Sequence, residues 1–581
     1  MAHQKRNTER ATSVEHEFGF QTSLNLSSDE FSNPDLLQNI MSAESLRKYL
    51  GLDAEPCSNV ALSVRERILQ SLVHAKPDDM TDRSLYLPII EFNKIFTIET
   101  IKALVKERYS QATNAELQVK ISELSERRRL LGIFLVMKSL HRLDAFVRES
   151  VTDIHLPLKI VTSYLHHDTR TRTSNEINTT LLKGWDANEL RLFYDYQLMF
   201  FVPFFDIQKN GLRPYVLDRQ VRLPWQSIKY KTSGGNGIVH KIKIHPSHHN
   251  FTPTRKPHQP LYFALKEIKT TDDLKYRLEL SALEKICASI RKEKHLIKLL
   301  LTFKHGYKFY FLFEWADGNL GEFWELFPDG PTRSMKATGW AAQQCLGLAN
   351  AVKRIHGLAT WQKKNRDESS SQGASCADTH EWGRHGDIKP TNILWFSSHD
   401  QDSDLFVLSD LGLTRFHSAA TRSLVLNTGI EGYTMTYSPP EMALRECISQ
   451  KYDIWSLGCV YLEFCIWWLE GLEAVRKFEN ERTAGDEHFD VMQIDDFFVT
   501  IEIDGRHQPE VKPVVLKWIQ RLRSEHQEDP FVQSMLNLIE QNMLVVNKAD
   551  RLSADFICAA ISQIVTEQAQ QAKADSGRRA Q

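Results

Sequence analysis

A chain of 581 residues has room for roughly two to four domains, each large enough to bury a core. Hydrophobic residues make up 42% and charged residues 25%, the balance of an ordinary globular protein, which excludes fibrous and wholly disordered classes. A formal net charge of -2 excludes bulk electrostatic attraction to nucleic acid or an anionic membrane. The eight cysteines are scattered, with no C-x-x-C pair and no Cys/His cluster at zinc spacing. They read as reduced thiols of an intracellular protein, cytoplasmic or nuclear. The polar amino terminus leads into no apolar run, so no secretory signal is expected. The best membrane candidate, Ile454 to Leu469, is shorter than the roughly 20 residues a span needs and carries Glu463. It reads as a buried core helix.

Residues 1–45 are rich in Ser, Asn, Thr and charge and read as a disordered tail. From 46 to 222 the signal is helical. Its strongest case starts at the N-cap pair Thr113-Asn114 and runs to about Val151, with Leu117, Ile121, Leu124, Leu131 and Leu135 at helical spacing. The run Glu126-Arg127-Arg128-Arg129 is expected on a solvated helix face. Trp185 and the aromatics from Phe193 to Phe205 are the candidate core, or a surface that docks this region onto the rest of the chain. No catalytic constellation falls here, and the region is a candidate site for a protein partner.

At Leu223-Pro224-Trp225 the texture becomes strand-like. Gly234, Gly235 and Gly237 cluster between extended runs, where glycines let backbone amides approach a phosphate. In Leu261 to Ile268 the alternation puts Tyr262, Ala264, Lys266 and Ile268 on one face, so a lysine sits among apolar neighbours. It must reach the edge or find an anion. A helix is predicted from about Asp272 to Arg291, then a buried strand, Phe309 to Ala316, then an amphipathic helix, Met335 to His356, ended by Gly357. Residues 358–383, with Ser369-Ser370-Ser371-Gln372-Gly373, read as a flexible insertion.

The stretch that organises the chain is His385-Gly386-Asp387-Ile388-Lys389-Pro390-Thr391-Asn392. It sets an acid, a lysine and an asparagine in one tight loop before the apolar run Ile393 to Phe396. Phosphoryl transfer from a nucleotide needs that set: Asp387 to accept a hydroxyl proton, Lys389 to offset phosphate charge, Asn392 to hold a metal ion. A polar turn, Ser397 to Asp404, and a second strand, Leu405 to Leu408, lead to Ser409-Asp410-Leu411-Gly412. Farther on lie Tyr433 to Glu441, ending in Pro-Pro-Glu, then Asp453-Ile-Trp-Ser-Leu-Gly458, and Asp550-Arg551. Residues 478 to 510, acidic and aromatic by turns, read as a surface insertion or an enlarged substrate-docking segment.

In this order these motifs resemble the serine/threonine protein kinase family over residues 225 to 565. The resemblance implies an α+β, bilobal fold with a β-rich N-lobe (223–315) and a helical C-lobe (316–565); the chain's own pattern places an all-α region before it, and a disordered tail, 566–581, is expected after it. It implies ATP and Mg2+ as cofactors and Ser/Thr hydroxyls of proteins as acceptors. Gly234, Gly237 and Val239 match the glycine loop over the nucleotide, with Thr232 in place of its first glycine. Ala264 and Lys266 match the V-A-I-K strand, and Glu279 is assigned as partner of Lys266, with Glu284 its rival. Glu314 and Ala316 would meet the adenine edge, and Asn392 and Asp410 would ligate magnesium. Thr434 falls where the family threonine meets the catalytic Asp and Lys, Asp453 would hold the catalytic loop, and Glu441 would pair with Arg551. The H-G-D triplet, the helical preface and the insertion resemble a group of fungal kinase-like proteins. Gly386 takes the place of the arginine that receives a phosphorylated loop, so activity independent of phosphates on Thr421, Ser423 or Thr428 is expected. The alternatives are an ATP-binding pseudokinase scaffold and a small-molecule phosphotransferase.

Overall fold

The computed structural model describes residues 59–579 except 75, 78–84, 162–169, 173–177, 180, 183, 208–214, 235–236, 253–259, 269–292, 332–334, 358–382, 401–402, 411–434, 445, 447, 485–494 and 504–505. The expected tail at 1–45, the insertion 358–382 and the helix 272–291 therefore lie outside the described residues. The chain forms two compact units. One holds the residues up to 230 with 240–251 and 303–310; the other holds 231–239, 252–302 and 311–581.

The first unit is helical at its centre, interrupted by short strands. Thr113 caps the helix Asn114–Ser125 in a reciprocal capping box with Glu116, as the sequence suggests. The helix does not run on to Val151. It stops at Ser125, and new helices form at Arg128–Val136 and Leu143–Arg148. The break has a physical cause. Asp153 accepts from the amides of Arg129 (2.7 Å) and Leu130 (3.1 Å), satisfying the first turn of the second helix from outside. Arg127 is buried at 5% exposure, not solvated, and donates to the carbonyls of Val151 (2.7 Å) and Glu123 (2.8 Å). Arg129 caps the ring of Phe201 at 4.9 Å. The aromatic core is as expected: Phe134, Phe146 and Phe193 are fully buried and meet Trp185. Phe205 stacks on Trp225 and also meets Phe303, which draws the later strands into this unit. There, Phe303–His305 pair in parallel with Tyr215–Leu217.

The second unit carries the strand Phe263–Ile268, a three-stranded sheet and most of the long helices. In that sheet Ile393–Asp400 pairs antiparallel with Ser403–Leu408, Ile393 opposite Leu408, and Gly318–Asn319 adds a third strand. The strands run farther than the apolar pattern implied, because Asp317 accepts from the amide and hydroxyl of Ser397 (2.8 and 2.7 Å) and keeps that polar end extended. The helix Met335–Gly357 matches its predicted bounds. The helix Lys451–Thr483 is buried on every side from Tyr452 to Leu469, so it is a core element. Its one break is Gly471, at φ +80°, where a Cβ would strike the Pro328 carbonyl. Among the described residues no helix is long and apolar enough to cross a membrane.

Two further readings are corrected. Within 478–510, residues 485–494 and 504–505 lie outside the described residues, and the rest is not all surface: Phe478 and Phe497 are fully buried, and the hairpin Phe498–Ile503 with Arg506–Val511 follows. The tail beyond 565 is not disordered up to Arg579, because Ala554–Arg579 is one helix, rich in Ala and Gln.

Candidate active site

Within the second unit the loop of residues 385–392 is anchored by Ile388, between Asp387 and Lys389, and by Ile393, just after Asn392, both fully buried. Pro390 starts a single 3-10 turn, Pro390–Asn392, which the strand then ends. The turn brings the side chains together. Asn392 donates from Nδ2 to Oδ2 of Asp387 and to its carbonyl, both at 2.8 Å. Lys389 Nζ lies 2.9 Å from the same Oδ2. Both grips fall on one oxygen, and Asp387 is only 8% exposed.

The loop is held from two sides. Asp453, fully buried at the start of the long helix, accepts from the amides of His385 and Gly386, each at 2.8 Å. His356 donates to Asp453 Oδ2 at 2.8 Å. Burial pushes the Asp453 carboxyl up, but His356, His385 and the Gly386 amide outweigh it and hold it below the usual carboxylate value. Gly386 sits at φ +82°, a left-handed conformation that suits glycine at this bend. His385 takes the Asp387 amide on Nδ1 (3.3 Å), so its Nε2 carries the proton given to the Ser409 carbonyl (2.8 Å). Ser409 in turn donates to the Asn392 carbonyl from both its amide and its hydroxyl (2.8 and 2.9 Å).

That last pair delivers Asp410 beside the loop. Asp410 sits at φ +58°, and its Oδ1 accepts from Lys266 Nζ at 2.9 Å. Burial pushes the Asp410 carboxyl up, yet Lys266, with His385 and Lys389 behind it, leaves it below the ordinary value. Lys266 thus finds the anion that the strand pattern demanded. Phe263 and Leu265 fill the buried face of its strand, while Ala264 and Lys266 are half-buried on the other. The amide of Trp315, between Glu314 and Ala316, bonds to the Tyr262 carbonyl at 3.3 Å, so the candidate adenine edge lies next to the lysine strand. Gly234 ends one strand, and Gly237 and Val239 begin the next. Glu279, Glu284, Leu411, Thr434 and the candidate phosphorylation sites lie outside the described residues.

Downstream, Arg551 grips both oxygens of Glu441 (3.0 and 3.1 Å) across 110 residues, as expected. Sequence reasoning missed His356, which is 97 residues from Asp453, and His385 as a link to Ser409. It also missed Tyr452, whose ring carries the Arg384 guanidinium at 5.0 Å. Nothing in local spacing marks these three.

Residues 380–561 match the family model described as protein kinase domain. Cyclin-dependent kinase-like 5 of Mus musculus is 26% identical over 200 residues, 34% of this chain and 17% of that protein. Cyclin-dependent kinase 2 of Caenorhabditis elegans is 40% identical over 83 residues, 14% of this chain and 19% of that protein. A probable LRR receptor-like serine/threonine-protein kinase, RPK1 of Arabidopsis thaliana, is 25% identical over 236 residues, 40% of this chain and 34% of that protein. The chain therefore spans 17 to 34% of the length of these relatives. The matched segment is similar to a protein kinase domain, and the strands and helices are of the α+β class that the motifs implied. Its relatives carry the names of cyclin-dependent and receptor-like serine/threonine kinases.

Proposed function

We propose that this protein moves the γ-phosphoryl group of ATP to a Ser or Thr hydroxyl of a protein substrate. One observation carries the reading: Lys266 meets Asp410 at 2.9 Å while Asp387 is held by Lys389 and Asn392 in the adjoining loop. With Lys389 and Asn392 both on Oδ2, Asp387 Oδ1 is the atom we assign to the acceptor proton. The hydroxyl oxygen bonds to the γ-phosphorus, the bond to the β-γ bridging oxygen breaks, ADP leaves, and the proton passes late to Asp387. Lys389 offsets charge on the migrating group, and Lys266 orients the phosphates behind it. The site suits Mg2+, a hard cation, since Asn392 turns its amide nitrogen toward Asp387 and keeps a carbonyl oxygen, and Asp410 adds a carboxylate. Bound there, the ion would draw charge from the phosphate oxygens. Placement and field supply most of the rate in such chemistry.

Lys389 supports Ser/Thr over Tyr as acceptor, and the H-G-D triplet supports the fungal kinase-like group. Gly386, with no side chain to receive a phosphate, supports activity without loop phosphorylation. The test is the purified full chain with labelled ATP, magnesium and myelin basic protein. Phosphoserine or phosphothreonine is expected, undiminished by phosphatase pretreatment and lost in Asp387→Asn. ATP binding without turnover would favour the scaffold; phosphorylated alcohols or amino sugars without phosphoprotein would favour a small-molecule phosphotransferase.

A further inference from the structure

We propose that Arg384 is a positioning residue for Asp387: its guanidinium occupies the space that Gly386, having no side chain, leaves open, and so holds residues 385–389 in the shape the reaction needs. The proposal rests on the kinase reading above and adds one residue to that site. Arg384 is 7% exposed, and its side chain folds back over the residue two positions on. A Cβ at Gly386 would stand 3.3 Å from Arg384 Nε and 3.6 Å from Nη2, so the cation lies where a larger residue's own side chain would begin. The same guanidinium lies over the Tyr452 ring, 5.0 Å from its centre. The backbone that carries Arg384 is fixed as well. Gln450 Nε2 donates to the carbonyls of His356 (2.8 Å) and Gly383 (3.1 Å), which ties the residue before Arg384 in place.

Gly386 is therefore held by two groups. Asp453 takes its amide and that of His385, and Arg384 covers the side where its left-handed backbone, at φ +82°, bears no Cβ. Glycine has the widest backbone freedom of any residue, and this one immediately precedes the acid assigned to the acceptor proton. Closing that freedom with a neighbour's side chain fixes where Asp387 points. The charges agree with this placement. Burial pushes the Tyr452 hydroxyl up to about 12; Ser438 and Arg384 pull it down, and Asp453 and Asp387 push it up. One cation and two acids thus act on a single ring. A guanidinium already buried against that ring needs no phosphate to order it, which accords with activity that does not depend on loop phosphorylation.

The experiment uses the full chain with Arg384→Met, Arg384→Lys, Arg384→Ala, Gly386→Ala and the double variant Arg384→Ala/Gly386→Ala. With labelled ATP and myelin basic protein, kcat should fall about 10- to 100-fold in Arg384→Met while the KM for ATP stays within about twofold. Arg384→Lys, which keeps the charge, should recover part of the loss. Hydrogen exchange of the peptide covering 385–389 should quicken about tenfold in Arg384→Met, with the helix Pro513–Glu525 unchanged. Gly386→Ala should cost less in the Arg384→Ala background than in the parent, because its Cβ then meets no guanidinium. Unchanged exchange at 385–389 would overturn the proposal, as would losses that simply multiply in the double variant. Equal loss of protection throughout the second unit would overturn it too, since that marks an ordinary core residue. A parent chain that turns over no ATP would instead sink the kinase reading, and the exchange at 385–389 would still decide whether Arg384 positions the loop.

Discussion

The two units bury arginines for different ends. In the first, Arg127 donates to the carbonyls of Glu123 and Val151, and Arg65 to that of Val136 (3.4 Å), so guanidinium groups finish helix ends and turns. In the second, Arg551 grips Glu441 and Arg482 grips Glu463 and Asp495. A carbonyl carries a partial charge and belongs to the backbone nearby. A carboxylate carries a full one, and losing its cation leaves an uncompensated buried ion. The first arrangement seals local structure; the second pins chain segments around a site.

The largest expected effect falls at Asp387, the acid to which the proposed reaction assigns the acceptor proton. Asp387→Asn should lower phosphoprotein formation by about 10² to 10⁴, read with labelled ATP, while circular dichroism stays that of the parent. Next, Arg551→Met strands Glu441 in the core and should cost about 3–5 kcal/mol, read by urea denaturation. Arg127→Met frees only carbonyls and should cost about 1–3 kcal/mol; a loss equal to that of Arg551→Met would erase the distinction between the units.

The smallest effect is a slope with pH. Burial pushes the Glu463 carboxyl up to about 7, against the pull of Arg482 and the Tyr437 hydroxyl, with Asp495 raising it further and Cys459 also facing the cluster. The native state therefore binds this proton more tightly than the unfolded chain, whose value is near 4.5. Its contribution is fully present below that value and is lost as pH rises through about 7. Relative to wild type, Glu463→Gln should lose stability less steeply between those limits, by up to about 1.4 kcal/mol per pH unit, read by denaturation at pH values of about 5.5 and 7.5.

Much of the candidate site was legible because its residues sit in short, ordered stretches. The loop from His385 to Asn392 makes its own contacts across five residues or fewer, so spacing alone brings Asp387, Lys389 and Asn392 together. Alternation likewise put Lys266 beside Ala264 and apart from Phe263 and Leu265. The helix from Thr113 was misjudged because its end is set by Asp153, a distant residue that no periodicity reports. Arg127 misled for a related reason: a charge run looks solvated until a carbonyl elsewhere accepts its protons.

By itself, then, the sequence determined which acid, lysine and asparagine share one tight loop and the order of the motifs along the chain, since local spacing governs what such a loop can present. Only the tertiary structure decided which charges are buried and what answers them: His356 on Asp453, Arg482 between Glu463 and Asp495, Arg384 on Tyr452. Those choices depend on segments tens of residues apart meeting in a space that excludes water, and there an unanswered charge costs more than a local pattern can signal.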